Sequence, residues 1–124
     1  MKDNRPVNLN ITTIKFPLAA IASILHRISG AALFVGTAII LYLMQLSLGS
    51  QTGFDLTVEI LTSPVAKLII WLLLSALLYH LIAGTKHLLL DLGIGESKQG
   101  AKTGARTTLI LATIAIVLGG VWVW

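Results

Sequence analysis

Three apolar stretches, residues 28–48, 65–90 and 107–124, leave few folds open to this sequence. A helix rises 1.5 Å per residue, so about 20 apolar residues cross a hydrocarbon core roughly 30 Å thick. Each stretch is about long enough. Inside lipid every backbone N–H and C=O needs a partner in the protein, which leaves helices or closed barrels. No alternation of apolar and polar residues runs far enough for barrel strands, so the expectation is an all-α integral membrane protein with three transmembrane helices. Composition agrees: of the 124 residues 56% are hydrophobic and 11% charged, against about a quarter charged in a soluble domain. A single membrane-anchor domain, residues 1–124, accounts for the chain, with residues 1–27 forming a cytoplasmic segment that leads into helix one. No length remains for a soluble catalytic core. Any enzymatic role is therefore shared with partners, and the chain is not expected to catalyse alone.

The sequence contains no cysteine, which excludes disulfides, thiolate-held iron–sulfur clusters and covalent C-x-x-C-H haem attachment. A formal net charge of +4 on so apolar a chain marks cytoplasmic loops rather than a nucleic-acid surface. Membrane lipid is an expected partner and nucleic acid is not. Residues 1–8 are polar and lack the apolar core and cleavage site of a signal peptide, so helix one is expected to stay in the mature protein. Residues 49–64 and 91–106 read as loops, with Pro64 suited to the first turn of the next helix. Of the nine Lys and Arg, eight (Lys2, Arg5, Lys15, Arg27, Lys86, Lys98, Lys102 and Arg106) flank the amino terminus or the second loop. Only Lys67 lies near the first loop, which carries Asp55 and Glu59. Basic loops stay in the cytoplasm, so the amino terminus is expected inside and the carboxyl terminus outside. Trp71, Trp122 and Trp124 then fall toward the outer half, as aromatic-belt residues do.

The apolar character begins before the first span. Residues 17–48, taken as one helix, reach roughly 48 Å, more than the bilayer core needs. The apolar run 18–22 then either meets another protein or belongs to a tilted helix. Ala32 with Gly36, and Ala115 with Gly119, are small residues four apart, which permits close helix neighbours.

Few ionisable residues enter the spans, and each needs an explanation because charge is costly in lipid. Antiparallel helices one and two bring His26, Arg27, Lys86 and His87 to one depth near the cytoplasmic face. His80 and His87 are seven apart, on nearly the same helix face and roughly 10 Å apart along the axis. Gly84 lies between them, where a missing side chain lets a flat macrocycle approach. Imidazole is a good axial ligand for noncovalent haem iron; the alternative is a histidine hydrogen-bonded to a neighbouring helix. His80 and His87 share a helix and His26 lies at the membrane edge, so a second axial ligand is expected from another subunit. Ser23, His26, Arg27 and Gly30 occupy one face of helix one. A serine hydroxyl and a guanidinium one turn apart can both donate to quinone carbonyls. Arg27 can also pair with haem propionates, or simply snorkel to the headgroups. Asp91, at a helix carboxyl end, opposes the macrodipole and calls for a cationic partner or a proton-handling role.

Three segments together carry a family resemblance: Arg5-Pro6-Val7-Asn8-Leu9, then Ser23-Ile24-Leu25-His26-Arg27-Ile28-Ser29-Gly30, then Tyr79-His80 with Gly84 and His87. The pattern, covering nearly the whole chain, resembles the cytochrome b membrane-anchor subunit of bacterial succinate dehydrogenase. The resemblance implies a heteromeric helix bundle in the bacterial inner membrane. It implies that His80 is an axial ligand of haem b, the other ligand being a histidine of a second anchor subunit. It further implies that Ser23 and Arg27 line a ubiquinone site, with Ile24 packing on the ring and Phe16 nearby, and that His26 and Arg27 approach the haem propionates. The implied partners are that second anchor, an iron–sulfur subunit that meets the extension of helix one, and a flavoprotein that oxidises succinate. The competing readings are a haem-free structural anchor of a related fumarate reductase or other oxidoreductase, and a small multidrug-type transporter. The transporter calls for an intramembrane carboxylate, and the spans hold none before Asp91.

Overall fold

A computed structural model describes residue 10 and residues 13–124; the 5–9 segment of the resemblance, with Lys2 and Arg5, lies outside the described residues. Four helices follow in order: α1 (Leu18–Gly49), α2 (Gln51–Thr62), α3 (Pro64–Asp91) and α4 (Lys98–Val123). The described residues form no strand. Helices α1, α3 and α4 are long and apolar enough to cross a membrane, so the all-α, three-span expectation holds. Pro17 stands in the extended region immediately before α1, as a residue without an N–H can at a helix start. The 32 residues of α1 reach about 48 Å.

Both stretches expected as loops are partly helical. Between α1 and α3 the chain folds as α2, a helix of 12 residues. Ser50 caps it by accepting from the Gly53 N–H at 3.0 Å, and the Gln51 amide donates to Asp55 at 3.0 Å one turn on. Gly53 presses so close to α1 that an added Cβ would collide with the Leu46 carbonyl. Ser63 ends α2 and caps α3, accepting from the Ala66 N–H at 3.3 Å, and Pro64 opens α3 as expected. The second connection shrinks to residues 92–97, because α4 starts at Lys98 with Ser97 as its cap, accepting from Gly100 N–H at 3.0 Å. Gly93, at φ 78°, takes the left-handed turn that stops α3. Its N–H donates to Leu90 O at 2.9 Å and the Ile94 N–H to Leu89 O at 2.9 Å, the paired bonds of a Schellman motif. Both connections are polar in composition, and their short-range caps outweigh that signal.

Helix α3 packs on both α1 and α4, antiparallel to each, α1 and α4 also touch one another, and the small residues set the spacing. A Cβ on Gly36 of α1 would lie 2.7 Å from Leu73 Cδ2, and one on Gly119 of α4 3.2 Å from Leu74 Cδ2. Tyr79, Ala83 and Ala112 form the buried core of the α3–α4 contact. Toward the other end, the Trp71 indole donates to Ile116 O at 3.1 Å and rests on Gly120, whose Cβ would lie 3.0 Å from Nε1. Trp122 and Trp124 are exposed. The start of α1, the end of α3 and the start of α4 share one end of the bundle, which carries Arg27, Lys86, Lys98, Lys102 and Arg106. Lys67 lies at the opposite end with α2.

Candidate functional site

Near the basic end, α1 and α3 are joined by side-chain hydrogen bonds in an otherwise apolar contact. The buried Tyr79 hydroxyl donates to Ala22 O at 2.8 Å. One residue on, His80 Nδ1 lies 3.1 Å from Ser29 Oγ and 3.2 Å from His26 O. Ser29 donates its own proton to His26 O at 2.7 Å. Gly30 provides the clearance for the His80 ring: a Cβ there would lie 3.1 Å from Cε1 and 3.6 Å from Nδ1.

The third histidine fills the space between the other two. The His26 ring stacks on His80 with centroids 4.1 Å apart and planes 17° apart. It also tilts against His87 at 5.1 Å and 42°. Among the described residues its Nε2 is buried with no hydrogen-bond partner, and it faces Gly84, where an added Cβ would lie 3.4 Å away. Gly84 therefore leaves α3 low enough for His26 to lie against it. Among the described residues no group of three or more His, Cys, Asp and Glu has metal-holding geometry. Imidazole lone pairs lie in the ring plane, so stacked, nearly parallel His26 and His80 cannot both point at one iron atom.

His80, His26, His87 and Gly84 thus come together. Ser23, Phe16, Ile24 and Arg27 make no hydrogen bond or ring contact with this cluster among the described residues. Ser23 is half-buried, and Phe16, Ile24 and Arg27 are exposed. Ala22, Ser29 and Gly36 are the buried positions of α1; Arg27 lies about 140° around the helix from Ala22, on a flank turned away from α3. Neither Ser23 nor Arg27 makes a side-chain hydrogen bond or ion pair among the described residues. Asp91 is likewise exposed with no ion pair there. Sequence reasoning gave no role to Ser29 or to the Tyr79 hydroxyl. The signal for Ser29 was its place one turn after His26, on the face that a buried serine needs to reach α3.

The chain as a whole is similar to known proteins. The family model described as succinate dehydrogenase/fumarate reductase transmembrane subunit matches residues 1–120. The chain belongs to this family. Among relatives of this transmembrane subunit, the succinate dehydrogenase cytochrome b556 subunit of Coxiella burnetii is 44% identical over 125 residues, covering 100% of both chains. The proteins of the same description from Paracoccus denitrificans and Rickettsia bellii are 31% and 30% identical, over 94% and 98% of this chain and 93% of each relative. Full-length similarity of this kind extends to the loops and termini as well as the three spans, which apolar composition alone does not produce.

Proposed function

We propose that this transmembrane subunit anchors a succinate:quinone oxidoreductase in the bacterial inner membrane and carries one axial ligand of a b-type haem beside a quinone site. The observation that carries the reading is the imidazole cluster. Among the described residues His80 has no hydrogen bond at Nε2, and the His26 Nε2 next to it is buried without a partner there. An unpartnered buried polar group costs about 1–3 kcal/mol, so His26 is suited to meeting a polar group that arrives with a cofactor. The relatives named as cytochrome b556 subunits support haem as that cofactor, and a donor set of imidazole without thiolate suits it chemically.

In this reading His80 Nε2 is the iron ligand, and a histidine of a second anchor subunit is the other. His26 and Arg27 meet the propionates; the α3 face expected to be open at Gly84 is instead where the His26 ring lies. A bound haem supplies a one-electron carrier between the cytoplasmic redox centres and the quinone. On the flank of α1, Ser23 and Arg27 donate to the carbonyl oxygens of ubiquinone, while Ile24 packs on its ring with Phe16 nearby. Their freedom from other side-chain bonds suits that task. A flavoprotein oxidises succinate, and an iron–sulfur subunit seated on the apolar start of α1 passes the electrons inward. Residues 28–48, 65–90 and 107–124 are the parts within the hydrocarbon, with the amino terminus in the cytoplasm. The positive-inside rule supports that orientation.

The test is the visible and paramagnetic resonance spectrum of the purified complex. A low-spin bis-histidine b-type signal is expected in the unaltered protein, lost or converted to high spin in His80→Ala and largely kept in His87→Ala. An unaltered bis-histidine signal in His80→Ala overturns the ligand assignment. A complex with no haem signal at all identifies a structural anchor instead.

A further inference from the structure

We infer that Ser29 is a positioning residue for His80: together with the His26 carbonyl, its hydroxyl oxygen holds the imidazole as the Nδ1–H tautomer, presents Nε2 as the free lone pair, and tunes that lone pair's basicity. The inference rests on the reading of His80 as an iron ligand and adds what selects the ligating nitrogen.

Three polar atoms form a closed triangle. Ser29 Oγ is 2.7 Å from His26 O, 3.1 Å from His80 Nδ1, and Nδ1 is 3.2 Å from His26 O. A carbonyl oxygen has no proton, so towards Ser29 and His80 it can only accept, in addition to the helix bond it takes from the Gly30 N–H. A hydroxyl has one proton, and the shortest side of the triangle takes it from Ser29 to His26 O. The Ser29 lone pairs are then what faces Nδ1. A bare Nδ1 would bring its own lone pair against two acceptor oxygens. An Nδ1–H meets both, in a shared hydrogen bond. A neutral imidazole carries a single ring proton, so placing it on Nδ1 leaves Nε2 as the donor to a metal.

The surroundings make this choice rigid. Ser29 is only 6% exposed, so water does not compete for its oxygen. The Tyr79 bond to Ala22 O fixes the depth of α3 against α1 one residue from His80, and Gly30 leaves the clearance that lets the ring lie against α1. Hydrogen bonding of the distal N–H raises the basicity of a ligating histidine and fixes its orientation. A more basic ligand favours ferric over ferrous iron. Without the Ser29 oxygen, Nδ1–H keeps only His26 O, at 3.2 Å, the long end of the N–H···O range.

The experiment is a redox titration of the haem in the intact purified complex, with low-temperature paramagnetic resonance of the ferric state, in Ser29→Ala and Ser29→Thr. Alanine removes only the oxygen and favours a helix. Threonine keeps an oxygen that bonds the same preceding-turn carbonyl. In Ser29→Ala the equilibrium is expected to shift three- to tenfold toward ferrous iron, a rise of about 28–59 mV by the one-electron relation, with altered ferric g values. Ser29→Thr is expected to return both toward the unaltered protein. Loss of haem in Ser29→Ala that threonine restores also supports the role. A potential and g values unchanged in Ser29→Ala overturn it, and so does a defect of equal size in both variants, which marks Ser29 as packing alone. The His80→Ala variant separates the two failures. If it loses the bis-histidine signal while Ser29→Ala is silent, only the role of Ser29 falls. If it keeps that signal, the ligand reading itself is wrong.

Discussion

Two glycines of the histidine cluster differ in what an added methyl group would meet, and the difference predicts opposite outcomes for the same substitution. At Gly84 a Cβ lies 3.4 Å from His26 Nε2, an ordinary contact, whereas at Gly30 it lies 3.1 Å from His80 Cε1, so that the ring must give by a few tenths of an ångström. The push comes from α1, and both oxygens that hold His80 Nδ1 also belong to α1. Their distances of 3.1 and 3.2 Å already lie near the outer limit, and a few tenths more takes both outside the usual range. Replacing a helical glycine by alanine gains about 0.8–1.0 kcal/mol. Overpacking costs about 1–3 kcal/mol, and weakening the shared hydrogen bond costs about 1 kcal/mol more. Gly30→Ala is therefore expected to destabilise by about 1–3 kcal/mol, and Gly84→Ala to be neutral or stabilising by up to ~1 kcal/mol. Thermal denaturation of the detergent-solubilised complex, followed by helicity and by the haem spectrum, reads both. Gly30→Ala should show a lower midpoint and a perturbed low-spin signal; Gly84→Ala should show neither. Equal midpoints and identical spectra for the two variants would refute the argument from ring clearance.

Two further outcomes follow from the flank of α1 and from the charge distribution. Ser23→Ala or Arg27→Leu should each cost about 1–3 kcal/mol of quinone binding or transition-state stabilisation, seen as reduced quinone reductase activity while succinate oxidation with an artificial acceptor persists; unchanged quinone turnover in both leaves Arg27 a lipid anchor. A reporter fused after Trp124 should be active only in its form that requires export, and cytoplasmic activity there would contradict the topology drawn from eight basic residues against Lys67.

The three spans were legible because lipid reduces the choices of a backbone to very few, and long apolar runs announce helices without any knowledge of packing. Gly36 and Gly119 were legible as close-contact positions for a related reason: helices associating in lipid need small residues where they meet, and these two lie against Leu73 and Leu74. Helix α2 was not legible. Its 12 residues include Gln51, Thr52, Gly53, Asp55 and Glu59, a composition that suits a loop. What makes it a helix is the Ser50 cap, the Gln51–Asp55 bond and the close approach of Gly53 to Leu46, and the last of these exists only once α1 is in place. The start of α4 at Lys98 was hidden in the same way by lysine and glycine in its first turns.

The histidines were legible as chemistry because a titratable ring is rare in a span, but their arrangement was not. Spacing along α3 puts His80 and His87 on one face, and it suggested an open surface at Gly84. It could not show that His26, read as a residue of the membrane edge, lies across that surface and stacks on His80. That placement depends on where α1 crosses α3, which Tyr79 fixes through a carbonyl of Ala22, and no pattern within one helix encodes a bond between two. The same crossing brings the backbone oxygen of His26 and the hydroxyl of Ser29 to one nitrogen of His80. A serine that looks like a neutral filler in a small-residue helix is thereby buried beside a ring nitrogen, where its single proton decides which side of that ring remains free.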